Sequence, residues 1–224
     1  MNAEKLQDKI YAGYGKAALR LGMDNVQFRP AGAGNPLATA GVTLKASFNA
    51  EDMKYGKANK YGNAVWWGLF DARLTQAGDY LVGPQGTFFI ASQQLHLPIQ
   101  CVQCNRRIAL SRAATQSGVG AVGYGGPCGT AGDQVVVGEP GGSIADTGWP
   151  ASILLFGQRE RSATGLPGSV QQIGWRILLP ASVPPGVVIN AGDIITDDLG
   201  RRYACQGAEL TDMGWRITST ELHA

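Results

Sequence analysis

Histidine is nearly absent from this chain: two residues, His96 and His223, among 224. His223 is the second residue from the end, so imidazole chemistry within the body of the chain has one candidate. Charge is scarce as well. Lysine, arginine, aspartate and glutamate make up 16% of the residues, against about 25% in ordinary globular domains, and the formal net charge is only +2. With no basic block, nothing here suggests nonspecific nucleic-acid binding by phosphate neutralisation. Long apolar runs are also missing. Met1 to Leu21 lacks the continuous apolar core of a secretory signal, and no run approaches the roughly 20 apolar residues of a membrane span. The expectation is synthesis in the cytoplasm and no membrane partner.

Cysteine is sparse: Cys101, Cys104, Cys128 and Cys205. In a cytosolic chain of this size, disulfides are not expected. The Cys101/Cys104 pair has the C-x-x-C spacing of a zinc knuckle, but it lies in a segment that reads as a strand. Residues three apart on a strand point to opposite faces, so two thiolates could not reach one ion without a bulge, and no second pair is present. Buried structural cysteines are expected, with no metal and no cofactor.

Glycine is abundant instead, with 32 residues, about twice the ordinary share of roughly 7%. Short strands, many turns and long loops follow. Within this background one pattern occurs twice. Ala77-Gly78-Asp79 opens a short apolar run, a turn follows at Gly83 to Gly86, and a second apolar run returns through Phe88, Phe89 and Ile90. Ala191-Gly192-Asp193 opens Ile194 and Ile195, a turn follows at Asp197 to Gly200, and Tyr203 to Cys205 returns. Each copy reads as a β-hairpin whose glycines supply positive φ. The chain is expected to carry two related β-modules.

In chain order, Asn2 to Leu21 predicts an amphipathic helix that Gly13 and Gly15 weaken and could split. It reads either as an arm for a neighbouring subunit or as a helix packed on its own domain. From Phe28 to Asn63 glycine and proline interrupt the chain, leaving one strand from Val42 to Phe48. Lys54, Lys57 and Lys60 among Tyr55 and Tyr61 have the look of a nucleic-acid surface, but a solvated loop face is the favoured reading. Ala64 to Arg73 is strongly β-prone and leads into the first hairpin. A further strand is expected within Cys101 to Leu110, and Pro98 marks a strand edge or bend. Ala113 to Gly148 is so glycine-rich that it predicts a long loop, with at most a brief strand at Val135 to Val137. It lacks the Gly-Lys-Ser/Thr ending and strand–loop–helix frame of a phosphate-binding loop. The expected division is therefore an arm over 1–24, a first module over 25–112, a loop over 113–148 and a second module over 149–224.

The second module predicts strands from Ala151 to Phe156, Ile173 to Leu179 and Trp215 to Ser219, around the hairpin at Ala191. Gly174 to Ile177 and Gly214 to Ile217 share the letters Gly-Trp-Arg-Ile. Alternation places Trp175 and Ile177, and likewise Trp215 and Ile217, on one face, with Arg176 and Arg216 on the other. The expected fold is mainly β, with two related small barrels or sandwiches, and Trp66, Phe89, Ile90, Trp175, Ile177, Ile194, Tyr203 and Trp215 as core residues.

An enzyme needs more than these residues offer. His96 could serve Cys101 or Ser111 as a nucleophile, yet no nucleophile elbow, metal-binding histidine pair or dinucleotide fingerprint accompanies it. Asp197 and Asp198 lie side by side in a hairpin turn, where consecutive acids are normally turn formers. No catalytic residue is assigned.

Four C-terminal segments (Trp175 to Pro180, Val187 to Thr196, Gly200 to Tyr203 and Trp215 to Ile217) resemble the small β-barrels of tailed-bacteriophage neck proteins. Those are the head-closure, head-tail joining or collar components between portal and tail. Gly78 to Val82 and Gly86 to Ile90 resemble the same hairpin in structural proteins of phage. The resemblance covers about half the chain and rests on turn chemistry and strand order. It implies a non-enzymatic virion component that forms a homo-oligomeric ring, contacts portal, adaptor or tail proteins through loops and termini, and lets DNA pass through the lumen without specific binding. The duplicated module and the glycine-rich insert depart from that pattern. They leave tail, baseplate, capsid-decoration and host-binding roles open.

Overall fold

The computed structural model describes residues 3–50, 62–112, 134–156, 174–184 and 186–222. The lysine–tyrosine cluster at 54–61, Cys128, the core of the glycine-rich loop and the charged loop at 157–168 lie outside these residues. The described chain is mainly β and opens with one helix, α1 (Ala3–Leu21). Strands β1 (Met23–Phe28), β2 (Ala40–Asn49), β3 (Val65–Leu69), β4 (Tyr80–Gly83), β5 (Gly86–Ser92) and β6 (Ile99–Cys104) close into a barrel in the order β1-β2-β3-β6-β5-β4. A short 3-10 turn, Ala72–Leu74, follows β3. The second sheet holds β7 (Arg106–Arg112), β8 (Gln134–Val137), β9 (Trp149–Phe156), β10 (Gly174–Leu179), β11 (Ile194–Asp197), β12 (Arg202–Thr211) and β13 (Gly214–Leu222), with a four-residue helix α2 (Ile144–Thr147) before β9. An additional pairing of β11 with β7 brings this sheet round on itself, in the order β7-β9-β10-β13-β12-β11, and leaves β8 as an edge strand beside β7.

The two rings have one topology. Exchanging β1 for β7, β2 for β9, β3 for β10, β4 for β11, β5 for β12 and β6 for β13 converts one pairing order into the other. The register matches too. Asn25 opposes Leu44 as Ile108 opposes Trp149; Trp66 opposes Cys101 as Trp175 opposes Ser219; Leu81 opposes Phe88 as Ile195 opposes Tyr203. Even the bulges correspond, between Ile90 and Ser92 in one ring and between Cys205 and Gly207 in the other. A one-residue slip would turn every side chain to the opposite face, so agreement through all six pairs of strands points to an internal duplication. Matched aromatic contacts follow from it. Trp66 meets Phe88 edge-on at 6.2 Å between centroids, and Trp175 meets Tyr203 edge-on at 5.6 Å.

Several expectations need correction. The segment Cys101 to Leu110 is two strands broken at Asn105, and the second of them, β7, opens the second barrel instead of completing the first. Strand β1, to which the sequence analysis assigns no element, opens the first barrel. The Gly13–Gly15 stretch does not split α1. Each helical glycine costs about 1 kcal/mol relative to alanine, but tertiary contact outweighs this: Tyr11 and Tyr14 pack against the first core, and a Cβ on Gly15 would lie 2.9 Å from that of Asp71. The helix thus packs on its own barrel, across β2, β3 and the 3-10 turn.

One core fills the first barrel, with Leu44, Phe48, Phe70, Leu81, Phe88, Ile90, Ile99 and Cys101 buried inside it. Phe48 and Phe88 stack there at 3.8 Å. The other core runs from the second barrel into the seam between the two, and joins Ile108, Trp149, Ile177, Tyr203, Trp215 and Ile217 to Tyr80, Phe89 and Val102 on the outside of the first. The residues expected to form the core take their places in these clusters, with Trp66 and Trp175 partly buried at the edges and Ile194 buried on β11. Trp175 and Trp215 share the inner face but stand at opposite ends of the β10–β13 pair, where they oppose Ser219 and Leu179. At the seam, the Tyr80 hydroxyl donates to the Pro150 carbonyl at 2.9 Å, and the Trp149 indole N–H donates to the Ala33 and Gly34 carbonyls of the β1–β2 loop.

A single residue joins the barrels. Asn105 donates its backbone N–H to the Ala151 carbonyl, and its side-chain amide both donates to the Ile153 carbonyl and accepts from the Ile153 N–H, each at 2.8 Å. That amide stands in for a peptide group and continues the ladder onto β9.

The duplicated glycines offer a matched test. Gly78 and Gly192 have φ of 92° and 93°. A Cβ on Gly192 would meet nothing within 4 Å among the described residues, whereas one on Gly78 would lie 2.6 Å from the Cβ of Ser182 across the seam. Gly192→Ala is expected to cost about 1–2 kcal/mol from left-handed backbone strain alone. Gly78→Ala is expected to cost about 1–3 kcal/mol more, because the seam must also shift. Thermal unfolding of the two variants side by side would show the difference.

Candidate functional surfaces

The duplicated Ala-Gly-Asp turns build the most distinctive polar sites. Asp79 and Asp193, the third residues of the two turns, are almost wholly buried, at 1% and 2% exposed. Each takes an arginine two-pronged. Arg29 approaches Asp79 with its Nε at 2.9 Å and Nη2 at 2.8 Å, and Arg112 approaches Asp193 at 2.7 and 2.8 Å. The two arginines are equivalent in the duplication, just past β1 and at the last position of β7. Each carboxylate also accepts a backbone N–H from three residues upstream, that of Gln76 at 3.0 Å and that of Asn190 at 2.8 Å. The carboxylates hold both guanidinium groups above their usual pKa. A bidentate arginine on a carboxylate that already has backbone donors is a firm clamp. It ties the start of each hairpin to the end of the barrel's first strand. The sequence reading missed both arginines, because nothing local marks them; aligning the two modules outward from the Ala-Gly-Asp turns would have brought them into register.

The clamps are not identical. Gln27 adds a bond from its Nε2 to Asp79 at 2.7 Å, while Leu110 occupies the equivalent position in the second barrel. The first barrel accordingly has a polar patch in its interior, with Asn25 and Gln27 where the second has Ile108 and Leu110. Asn25 donates to the Met23 carbonyl, and its own Oδ1 has no partner among the described residues.

The residues considered for nucleophilic catalysis are not brought together. His96 sits in the turn between β5 and β6 with φ of 61°; its backbone N–H donates to Gln7 Oε1, and its ring lies 3.4 Å from the Ala3 carbonyl. It fastens the start of α1 to the barrel. Cys101 is buried inside the first barrel, and Ser111 lies on β7 of the second. Asp197 acts as a turn former: its Oδ1 accepts from the Leu199 and Arg201 N–H groups and its Oδ2 from the Tyr203 hydroxyl. Asp198 faces Arg106 at 4.0 Å. Burial, with the Asp197 charge adding to it, pushes the Tyr203 hydroxyl up to about 12.

Cys101 and Cys104 point to opposite sides of β6. Cys101 enters the first core, and Cys104 packs against the second. Burial raises both thiols far above their usual range, and burial together with the Asp193 charge pushes Cys205 up to about 11. Thiols held protonated and covered react slowly. Cys101 and Cys205 are expected to resist a thiol-specific reagent at pH 8 until the protein unfolds, which peptide mapping of labelled protein would check.

Two mainly apolar concave surfaces lie among the described residues. A groove of about 410 Å³ runs between α1 and the outside of the first barrel, lined by Leu19, Leu44, Lys45, Arg73 and Leu74 among others. Its charges are largely matched within the chain, Lys45 by Asp24 and Arg73 by Asp71, while Leu19 and Leu74 stand 69% and 49% exposed. A smaller cleft of about 270 Å³ lies at the seam, between Phe89 and Val102 on one side and Leu178, Met213 and Trp215 on the other. Comparison of the chain with family models, with curated proteins and with solved structures gives no match.

Proposed function

We propose that this protein is a structural component of a tailed-bacteriophage particle, a ring-forming neck or collar protein between the portal side of the head and the tail. One observation carries most weight: two barrels of one design, each with its hairpin clamped by a buried Asp–Arg pair, share a packed seam, and an apolar groove lies beside α1. Such a body suits a mechanical role. It holds position while loops and the helix-side surface meet neighbours, and its sparse charge and small net charge of +2 let DNA slide past instead of being held. The duplication also gives a physical basis for the two sets of segments that resemble phage structural barrels, since both resembling hairpins occupy one position in the fold.

The test is the copy number of the chain in purified particles, measured by quantitative mass spectrometry, together with a deletion. Removing 117–132 spares β8, whose loss would leave part of β7 unpaired. The shortened chain is expected to fold and to fail to enter particles. Unimpaired incorporation rules out that role for the loop, and absence of the chain from particles rules out the virion reading. A fixed copy number at the tail tip or on the capsid surface would move the chain to a baseplate or decoration role.

A further inference from the structure

Strand β2 has a free stretch of edge. On one side β1 matches it from Ala40 to Ala46, whereas on the other β3 matches it only from Ser47 to Asn49. Strand β3 ends at Leu69, and the chain then turns away into the 3-10 turn, so no strand lies beside Thr43–Ala46 on that side. The register shift between Val26 and Phe28 falls opposite Gly41 and Val42, which leaves Thr43–Ala46 as the regular part of the open edge. Every other residue of these four turns both its N–H and its C=O to the open side. Among the described residues, no main-chain group of α1 or the 3-10 turn bonds to them there.

The groove of about 410 Å³ beside α1 runs along this edge. Thr43, Leu44 and Lys45 line it as three consecutive residues. A strand face would contribute only alternate residues, so an unbroken run marks the edge of the strand. Leu44 itself belongs to the core inside the first barrel. Across the groove stand Ala12 and Leu19 of α1, with Leu74 of the 3-10 turn. The charges in the walls do not cancel. Asp24 pairs with Lys45 and Asp71 with Arg73, while Lys16 has no acidic partner among the described residues.

We infer that this groove takes an extended segment of a partner protein, which adds as a strand to the free edge of β2. Open edges are ready templates for pairing, and α1 decides what can reach this one. With the helix forming the far wall, a whole sheet is kept out and a lone extended chain is admitted. Such a chain gains its hold from main-chain bonds to the edge and its selectivity from alternate side chains. Apolar side chains at alternate positions lie against Ala12, Leu19 and Leu74, and a carboxylate on the segment meets Lys16. The site does not depend on the virion reading and would serve the chain in any assembly.

A displayed library of random dodecapeptides, selected on the full chain, tests this. The enriched peptides are expected to alternate apolar residues and to carry an aspartate or glutamate. The strongest of them, made as a free peptide and added to saturation, is expected to slow hydrogen exchange about tenfold or more at amides within Thr43–Ala46, read residue by residue by NMR. Lys16→Glu is expected to weaken that peptide about fivefold, the scale of an exposed ion pair. The same peptide with its acid replaced by lysine is expected to bind Lys16→Glu better than the unaltered chain, which would also show that the variant is folded. A library that yields no enriched peptide, a peptide that binds and leaves the Thr43–Ala46 amides exchanging freely, or binding indifferent to both charge changes would overturn the inference.

Discussion

Trp149→Ala is expected to lower stability by about 3–5 kcal/mol, the range for removing a large aromatic side chain from a core. Trp149 is fully buried and sits where the two barrels and the β1–β2 loop converge. Its ring meets Tyr80 edge-on at 6.3 Å, and its indole N–H ties down the carbonyls of Ala33 and Gly34. Alanine leaves a cavity at the seam and strands those two acceptors. In a chain of this size the loss corresponds to a fall of about 10–15 °C in Tm. Trp149→Phe keeps most of the ring and loses the donor, so it is expected to fall well short of that. If Trp149→Ala left Tm within a degree or two of the unaltered chain, the seam would not be a shared core.

Asp193→Ala follows closely in size. It removes a buried carboxylate that holds Arg112 and the Asn190 N–H. Breaking a buried ion pair from one side commonly costs about 3–5 kcal/mol, because a charge is left buried without its partner. Here the arginine side chain is 37% exposed and can return to water. The expected cost is therefore nearer the lower end, about 3 kcal/mol, most of it from the unmet backbone donor and the released hairpin. The reverse change, Arg112→Ala, costs less than Asp193→Ala only if the backbone donor keeps its carboxylate. A double-mutant cycle between the two is expected to show coupling of about 1–3 kcal/mol. Asp79→Ala gives the same test in the other barrel, with Gln27 losing its acceptor in addition. Chemical denaturation of the three single variants and the double variant would check these values. Independent effects of Arg112→Ala and Asp193→Ala would contradict the clamp.

The duplication was legible in the sequence because its anchor is chemically marked. Ala-Gly-Asp needs a glycine at positive φ and a carboxylate that caps a turn, and few alternatives satisfy both, so the letters persisted in both copies. The Gly-Trp-Arg-Ile strands were legible through alternation alone. Much else was hidden. Strand β1, with Asn25 and Gln27 on its inward face, does not read as an apolar alternation; those side chains are held in the first barrel, Gln27 by Asp79. Its equivalent β7 was visible as a strand but not as the start of a new barrel, because membership is set by pairing partners far along the chain. The opposed directions of Cys101 and Cys104 followed from strand geometry and needed no tertiary knowledge. The grooves were out of reach, since they depend on how closed sheets and α1 meet.

The one-residue passage at Asn105 has a mechanical consequence. A linker of ordinary length would let the barrels swing apart under load before any contact between them was strained. Here the connection has no slack: the chain passes from one ladder straight into the next, and the connecting side chain is itself fastened to Ile153. Tension applied to the first barrel therefore passes at Asn105 straight into β7 and β9, and this joint bears load as a strut instead of stretching like a tether.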